Sequence, residues 1–81
     1  MLLVEKCQAI NDNYYGRFMS YASKLMKKGK KKEAKEVHNK AQQLNKYFYL
    51  AAHTDNVDLV VGYSREMETI VTETNRFVKG V

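Results

Sequence analysis

Any covalent or metal chemistry in this sequence would depend on Cys7, its single cysteine, and on His53 with Asp55 two residues further on. A cysteine near a histidine can act as a nucleophile, and the same side-chain types can ligate a metal ion. Cys7 lies in a periodic apolar stripe, however, where a free cysteine usually packs as a small hydrophobic residue. His53 falls near the predicted end of a helix, where it can cap backbone carbonyls.

Other motifs of enzymes and metal sites are missing from the sequence. It contains no glycine-rich phosphate loop, no paired-histidine motif and no pair of cysteines. We therefore expect a protein that is not an enzyme, with no catalytic residue, no metal ligand and no cofactor.

The most concentrated chemical feature is a run of lysines, which we call the basic tip. Within residues 24–35 there are seven lysines and one acid, Glu33, so this window carries +6 while the whole chain carries +5. Such a patch suits an acidic protein surface, a phosphate backbone or a lipid headgroup, or it is simply solvated. It contains no arginine, so nucleic-acid binding there would be largely non-specific. The lysines are Lys24, Lys27, Lys28, Lys30, Lys31, Lys32 and Lys35.

The tyrosines, six in 81 residues, are the second candidate binding feature. Tyr14 and Tyr15 are adjacent, and Tyr47 and Tyr49 flank Phe48, so single helical stripes cannot bury them all. Exposed tyrosine is a common interface anchor because it offers a large contact area at low entropy cost. The alternative is a core-boundary position with a solvated hydroxyl. We predict a partner-binding aromatic patch of Tyr15, Tyr47 and Tyr49.

The elements that must position these side chains follow from the spacing of apolar residues. Three segments repeat them at steps of three and four, and the chain has no proline, which indicates helices throughout. Each segment thus carries one apolar stripe, or seam, predicted to face the core; the three seams contain Phe18, Leu44 and Met67 in turn. Gly29 marks the end of the first segment, and Asp55 with Asp58 resembles the N-cap signal of the third. The predicted fold is all-α, an antiparallel three-helix bundle. Its helices span about 2–28, 31–53 and 56–79.

Two local features leave alternatives open. Residues 57–63 alternate in a way that also suits a short β-strand, but only residues 2–4 offer a partner strand, so we favour the helix. Gly16 and Gly62 fall inside predicted helices, where each costs about 1 kcal/mol relative to alanine. We expect a close helix approach or a kink to explain these glycines.

Length and composition bound the class of protein. The chain forms one domain, 1–81, and its 44% hydrophobic and 28% charged residues are typical of a folded protein. One cysteine excludes an intrachain disulfide, and no segment is apolar enough for a signal peptide or a membrane span. We therefore expect an intracellular, reducing location, the cytoplasm.

These features favour a small non-enzymatic helical module that binds the acidic surface of a larger protein. It would act as an adaptor or inhibitor, as small viral and phage accessory proteins do. One alternative is a non-specific nucleic-acid-binding protein that uses the basic tip. Another is a structural module whose apolar seams close only in a homodimer.

Overall fold

The computed structural model describes residues 3–81 as three helices, with about 90% of residues helical and no strand in that range. They are α1 (Leu3–Lys27), α2 (Lys31–Ala52) and α3 (Val57–Gly80). Two short turns reverse the chain, and each helix contacts the other two, which gives an antiparallel bundle of 43 × 18 × 18 Å. The predicted fold is confirmed. The described helix ends lie within one residue of prediction, and residue 2 lies outside the described range.

The core is formed by one buried stripe from each helix. Phe18, Leu44 and Met67 are its largest fully buried side chains, one from each helix. All three lie in the predicted seams, whose spacing therefore identified the core. The seams missed Ala22, which is 7% exposed and lies beside the main stripe of α1.

The turn between α1 and α2 is a Schellman motif around Gly29. The Gly29 amide donates to the Met26 carbonyl (3.0 Å) and the Lys30 amide donates to the Leu25 carbonyl (2.9 Å). Gly29 has φ = +80°, a left-handed conformation that glycine adopts without steric cost. The predicted end of α1 is therefore confirmed, because these two hydrogen bonds and the left-handed Gly29 terminate the helix.

The start of α3 corrects one prediction. Its N-cap is Asn56, not Asp55: the Asn56 Oδ1 accepts hydrogen bonds from the amides of Asp58 (3.0 Å) and Leu59 (3.3 Å). Asp58 lies in the first turn, where its carboxylate interacts favourably with the helix dipole. Residues 57–63, considered as a strand, are helical.

The two helical glycines are not sites of close packing. A methyl group at Gly16 or Gly62 would meet no atom of a neighbouring element within 4 Å, and both residues are exposed. Of the two explanations expected for these glycines, a close helix approach is therefore wrong, and a kink stays a prediction.

Candidate functional site

An open apolar groove lies between α1 and α2, beside the turn that connects them. Its volume is about 730 Å³, and α3 contributes none of its lining residues. Ala22 and Ala34 are buried at its base, while Met19 is half-buried and Met26 is 50% exposed. We call it the Met groove; it is lined by Met19, Ala22, Ser23, Met26, Lys27, Lys31, Ala34, Lys35 and His38.

The groove arises from a second apolar stripe on α1. Tyr15, Met19, Ala22 and Met26 recur at steps of four, three and four, so they share one face of the helix. Because α3 does not line this face, the methionine side chains keep part of their surface in solvent. Met19 and Met26 lie outside the single apolar stripe predicted for α1 and were therefore not predicted as site residues. Their spacing was the signal that would have revealed them.

The structure joins the basic tip to this groove. Lys27, Lys31 and Lys35 line it, and the other four lysines of the tip are exposed on either side of the Gly29 turn. Within residues 3–81 no lysine of the tip forms a salt bridge; the ion pair described there joins Lys6 and Glu68. The Lys30 Nζ donates a hydrogen bond to the Val81 backbone oxygen (3.2 Å). The predicted charged feature is therefore one edge of an apolar surface.

The basic tip is also concentrated at the start of α2, where a helix favours the opposite charge. Lys30 occupies the N-cap position without a side-chain cap, and Lys31 and Lys32 follow it. The N-terminal end of a helix carries a partial positive charge, so cations there raise the energy of the helix. Glu33 is the acid in this first turn. The local field therefore attracts an anionic group from outside the chain.

The structure places the three predicted tyrosines in different surroundings. Tyr47 is half-buried, with its ring centre 5.9 Å from that of Tyr63 on α3. Tyr49 is 60% exposed and stacks on His53 at 4.1 Å. Tyr15 is half-buried, one turn before Met19 on the same face of α1.

Tyr47 and Tyr49 do not share a face of α2. They are two residues apart in a helix of about 3.6 residues per turn, so their side chains project about 200° apart. Tyr47 therefore contributes to the contact between α2 and α3, and Tyr15 is the predicted anchor that adjoins the Met groove.

The side chains considered for catalysis occupy ordinary structural positions. Cys7 is completely buried, and this burial raises the pKa of its thiol above the usual value, which disfavours the nucleophilic thiolate. His53 is exposed, and its Nδ1 lies 2.8 Å from the Tyr49 carbonyl oxygen at the end of α2. Among residues 3–81 no three His, Cys, Asp or Glu side chains converge to hold a metal ion.

Comparison with known proteins supplies no relative. No protein-family model, curated protein or solved structure matches this chain. None of the three described helices combines the length and apolar character needed to cross a bilayer.

Proposed function

We propose that this chain is a non-enzymatic protein-binding module that docks a larger protein onto the outer face of α1 and α2, as an adaptor or inhibitor. The observation that carries the proposal is the Met groove, an open apolar surface with an unpaired basic edge. Exposed apolar surface rimmed by polar residues is typical of interaction sites. We place this activity in the cytoplasm, where the single cysteine stays reduced.

The side-chain types of the groove favour a protein partner. Methionine is flexible and polarisable, so it adapts to apolar side chains of different shapes. Two methionines and two alanines provide this surface here, and a nucleic-acid backbone would make no use of it. The lysines add an electrostatic contribution, because positive charges around an interface raise the rate of association with an acidic partner.

Site-specific photo-cross-linking tests the docking face. A benzophenone amino acid at Met19 is expected to capture a protein from nuclease-treated extract of the host. The same probe at Thr69, on the exposed polar side of α3, is the matched control. The proposal fails if Thr69 captures the same protein as efficiently, or if Met19 captures none.

Nucleic-acid binding is the second candidate, favoured by the seven exposed lysines of the basic tip and their lack of salt bridges within residues 3–81. Such binding would be sequence-independent and strongly weakened by salt.

A homodimer is the third candidate, favoured by the exposed Tyr49, Val57 and Leu59 around the α2–α3 turn. Glutamine substitution of Met19 and Met26 separates these candidates from the first, because it changes neither the lysines of the basic tip nor the apolar side chains around the α2–α3 turn.

A further inference from the structure

We propose that the occupant of the Met groove is a single acidic amphipathic α-helix of the partner protein. This inference rests on the proposed function and specifies the chemistry of the partner. The apolar face of that helix would lie against Met19, Met26 and the two alanines, and its acidic edge would face the basic tip.

The shape of the groove suits a helix. It lies between two antiparallel helices and has small residues, Ala22 and Ala34, at its base. Small residues allow a third helix axis to approach to the usual spacing of about 8–10 Å. From Tyr15 to Met26 the face extends on the order of 16 Å, which corresponds to about three turns of a partner helix.

Backbone hydrogen bonding argues against an extended peptide. A peptide strand is normally held by the edge of a sheet, which supplies partners for its amide and carbonyl groups. Residues 3–81 contain no strand, and the groove is predominantly apolar. A helix satisfies its own backbone groups, so it can lie on such a surface without leaving buried polar groups unpaired.

The charges select an acidic helix. Lys27 lies on the α1 side of the groove, and Lys31 and Lys35 lie one turn apart on the α2 side. No acidic residue lines the groove. The unfavourable cations at the start of α2 add to this selection, since carboxylates of a bound helix would offset them.

The same charges argue against a second copy of this chain as the occupant. In a two-fold symmetric dimer each surface meets its own copy, so the lysine edges of two Met grooves would lie close together. The apolar face of α3, the most acidic part of the chain, is already buried in the core through Val60, Met67 and Ile70. None of the three helices described in residues 3–81 is therefore a free acidic amphipathic helix.

The test uses synthetic peptides of about 14 residues, near four helical turns. The first carries leucines at helical spacing with glutamates beside them. The second has lysine in place of each glutamate, and the third is a scrambled form of the first without an apolar face. An oligothymidylate of similar length serves as the nucleic-acid probe. Binding is measured by fluorescence anisotropy, and the site is located by amide chemical-shift changes.

We expect the acidic amphipathic peptide to bind at least about tenfold more tightly than either control peptide. Shift changes should concentrate on Met19, Met26 and Ala34. Lys31→Glu with Lys35→Glu lowers the charge of the basic tip from +6 to +2 and should remove most of the preference for the acidic peptide over the lysine peptide. The control pair Arg65→Glu with Arg76→Glu makes the same change of charge on the polar side of α3 and should leave the preference unchanged.

The apolar contribution is tested by Met19→Gln with Met26→Gln, a change of similar size without charge. This double variant should bind the acidic peptide at least about tenfold more weakly than the wild type does. Its matched control is Val57→Gln with Leu59→Gln, which removes exposed apolar side chains at the far end of the bundle. If that control abolishes binding and the methionine pair does not, the occupant lies elsewhere and the inference is overturned.

Three further outcomes would also overturn it. One is equal binding of the acidic and scrambled peptides. Another is that the oligothymidylate binds more tightly than the acidic peptide and that the double variant Met19→Gln with Met26→Gln binds it as tightly as the wild type does. The third is a concentration-dependent dimer, seen by sedimentation, that the methionine pair dissociates. If Met19 cross-links a host protein yet no acidic helix binds, the proposed function stands and only the nature of its partner is wrong.

Discussion

The first turns of α2 and α3 differ in how side chains compensate their unpaired backbone amides and the positive end of the helix dipole. At α3 the Asn56 side chain accepts two backbone amides, and Asp58 complements the helix dipole. At α2 no side chain caps the helix, and Lys30, Lys31 and Lys32 bring positive charge to its positive end. The start of α3 is built for stability. At the start of α2, cations lie beside the Met groove at a cost to helix stability.

The largest expected effect concerns the core that both helix starts depend on. Leu44 is fully buried on α2, so Leu44→Asp places an unpaired charge inside the bundle. We expect loss of cooperative thermal unfolding, measured by circular dichroism. The exposed control Gln43→Asp should melt cooperatively near the wild-type temperature. A cooperative Leu44→Asp transition would contradict the described core.

Removing the cap of α3 should cost less. Asn56→Ala deletes the acceptor of two backbone amides and is expected to lower stability by about 1 kcal/mol. For a domain of this size that corresponds to a fall of about 4–8 °C in Tm. The corresponding change at the start of α2, Lys30→Ala, removes no side-chain cap. It should lower Tm by much less, and equal losses would remove the contrast between the two helix starts.

A glycine in α3 shows that this helix is not optimised throughout. Gly62→Ala is expected to raise stability by about 0.5–1 kcal/mol, because alanine is the better helix former and the added methyl group has open space. Thermal melting measures the gain. Peptide binding at the Met groove should stay unchanged, since Gly62 lies on another helix. A lower Tm would indicate that the flexibility of glycine is needed there.

Removing positive charge from the first turn of α2 should have the smallest effect on stability, and the effect should be stabilising. Lys31→Gln with Lys32→Gln should raise the free energy of unfolding at low salt by about a few tenths of a kcal/mol, because it removes cations from the start of α2. The gain should shrink as salt screens the charges. The same variant should slow association with an acidic partner. Lys6→Gln is a useful control, because it breaks an exposed ion pair with Glu68 and should not stabilise.

A nucleic-acid ligand would change the result for the same variant. Replacing a lysine that binds a phosphate would then reduce the salt slope of log affinity by about one unit. A protein ligand predicts a slower association rate and a modest salt effect. If the glutamine variant were less stable than the wild type at low salt, the lysines at the start of α2 would not be unfavourable there.

The sequence predicted the elements better than it predicted the surface. Apolar spacing identified Phe18, Leu44 and Met67 as core residues, and Gly29 located the first turn, because both signals are local. Asp55 and Asn56 are both good N-cap residues, so composition could not choose between them. The hydrogen bonds of Asn56 decide the matter in the structure.

The Met groove could not be deduced from one helix at a time. Met19 and Met26 form an apolar stripe that a third helix could equally have buried. Only the position of α3 against the other face leaves them open to solvent. The same tertiary arrangement joins the basic tip to an apolar surface, whereas spacing along the chain placed these lysines outside every seam.

The tight turn at Gly29 has a consequence for how the chain folds. It joins α1 and α2 through three residues, so the residues beside the turn can pair at little entropy cost of loop closure, and pairing can extend from there along both helices. Small helical bundles typically fold within microseconds to milliseconds. We expect the α1–α2 hairpin to form in the transition state, with α3 docking afterwards. Since no residue of α3 lines the Met groove, the later docking of α3 would complete the core without adding to the lining of the groove.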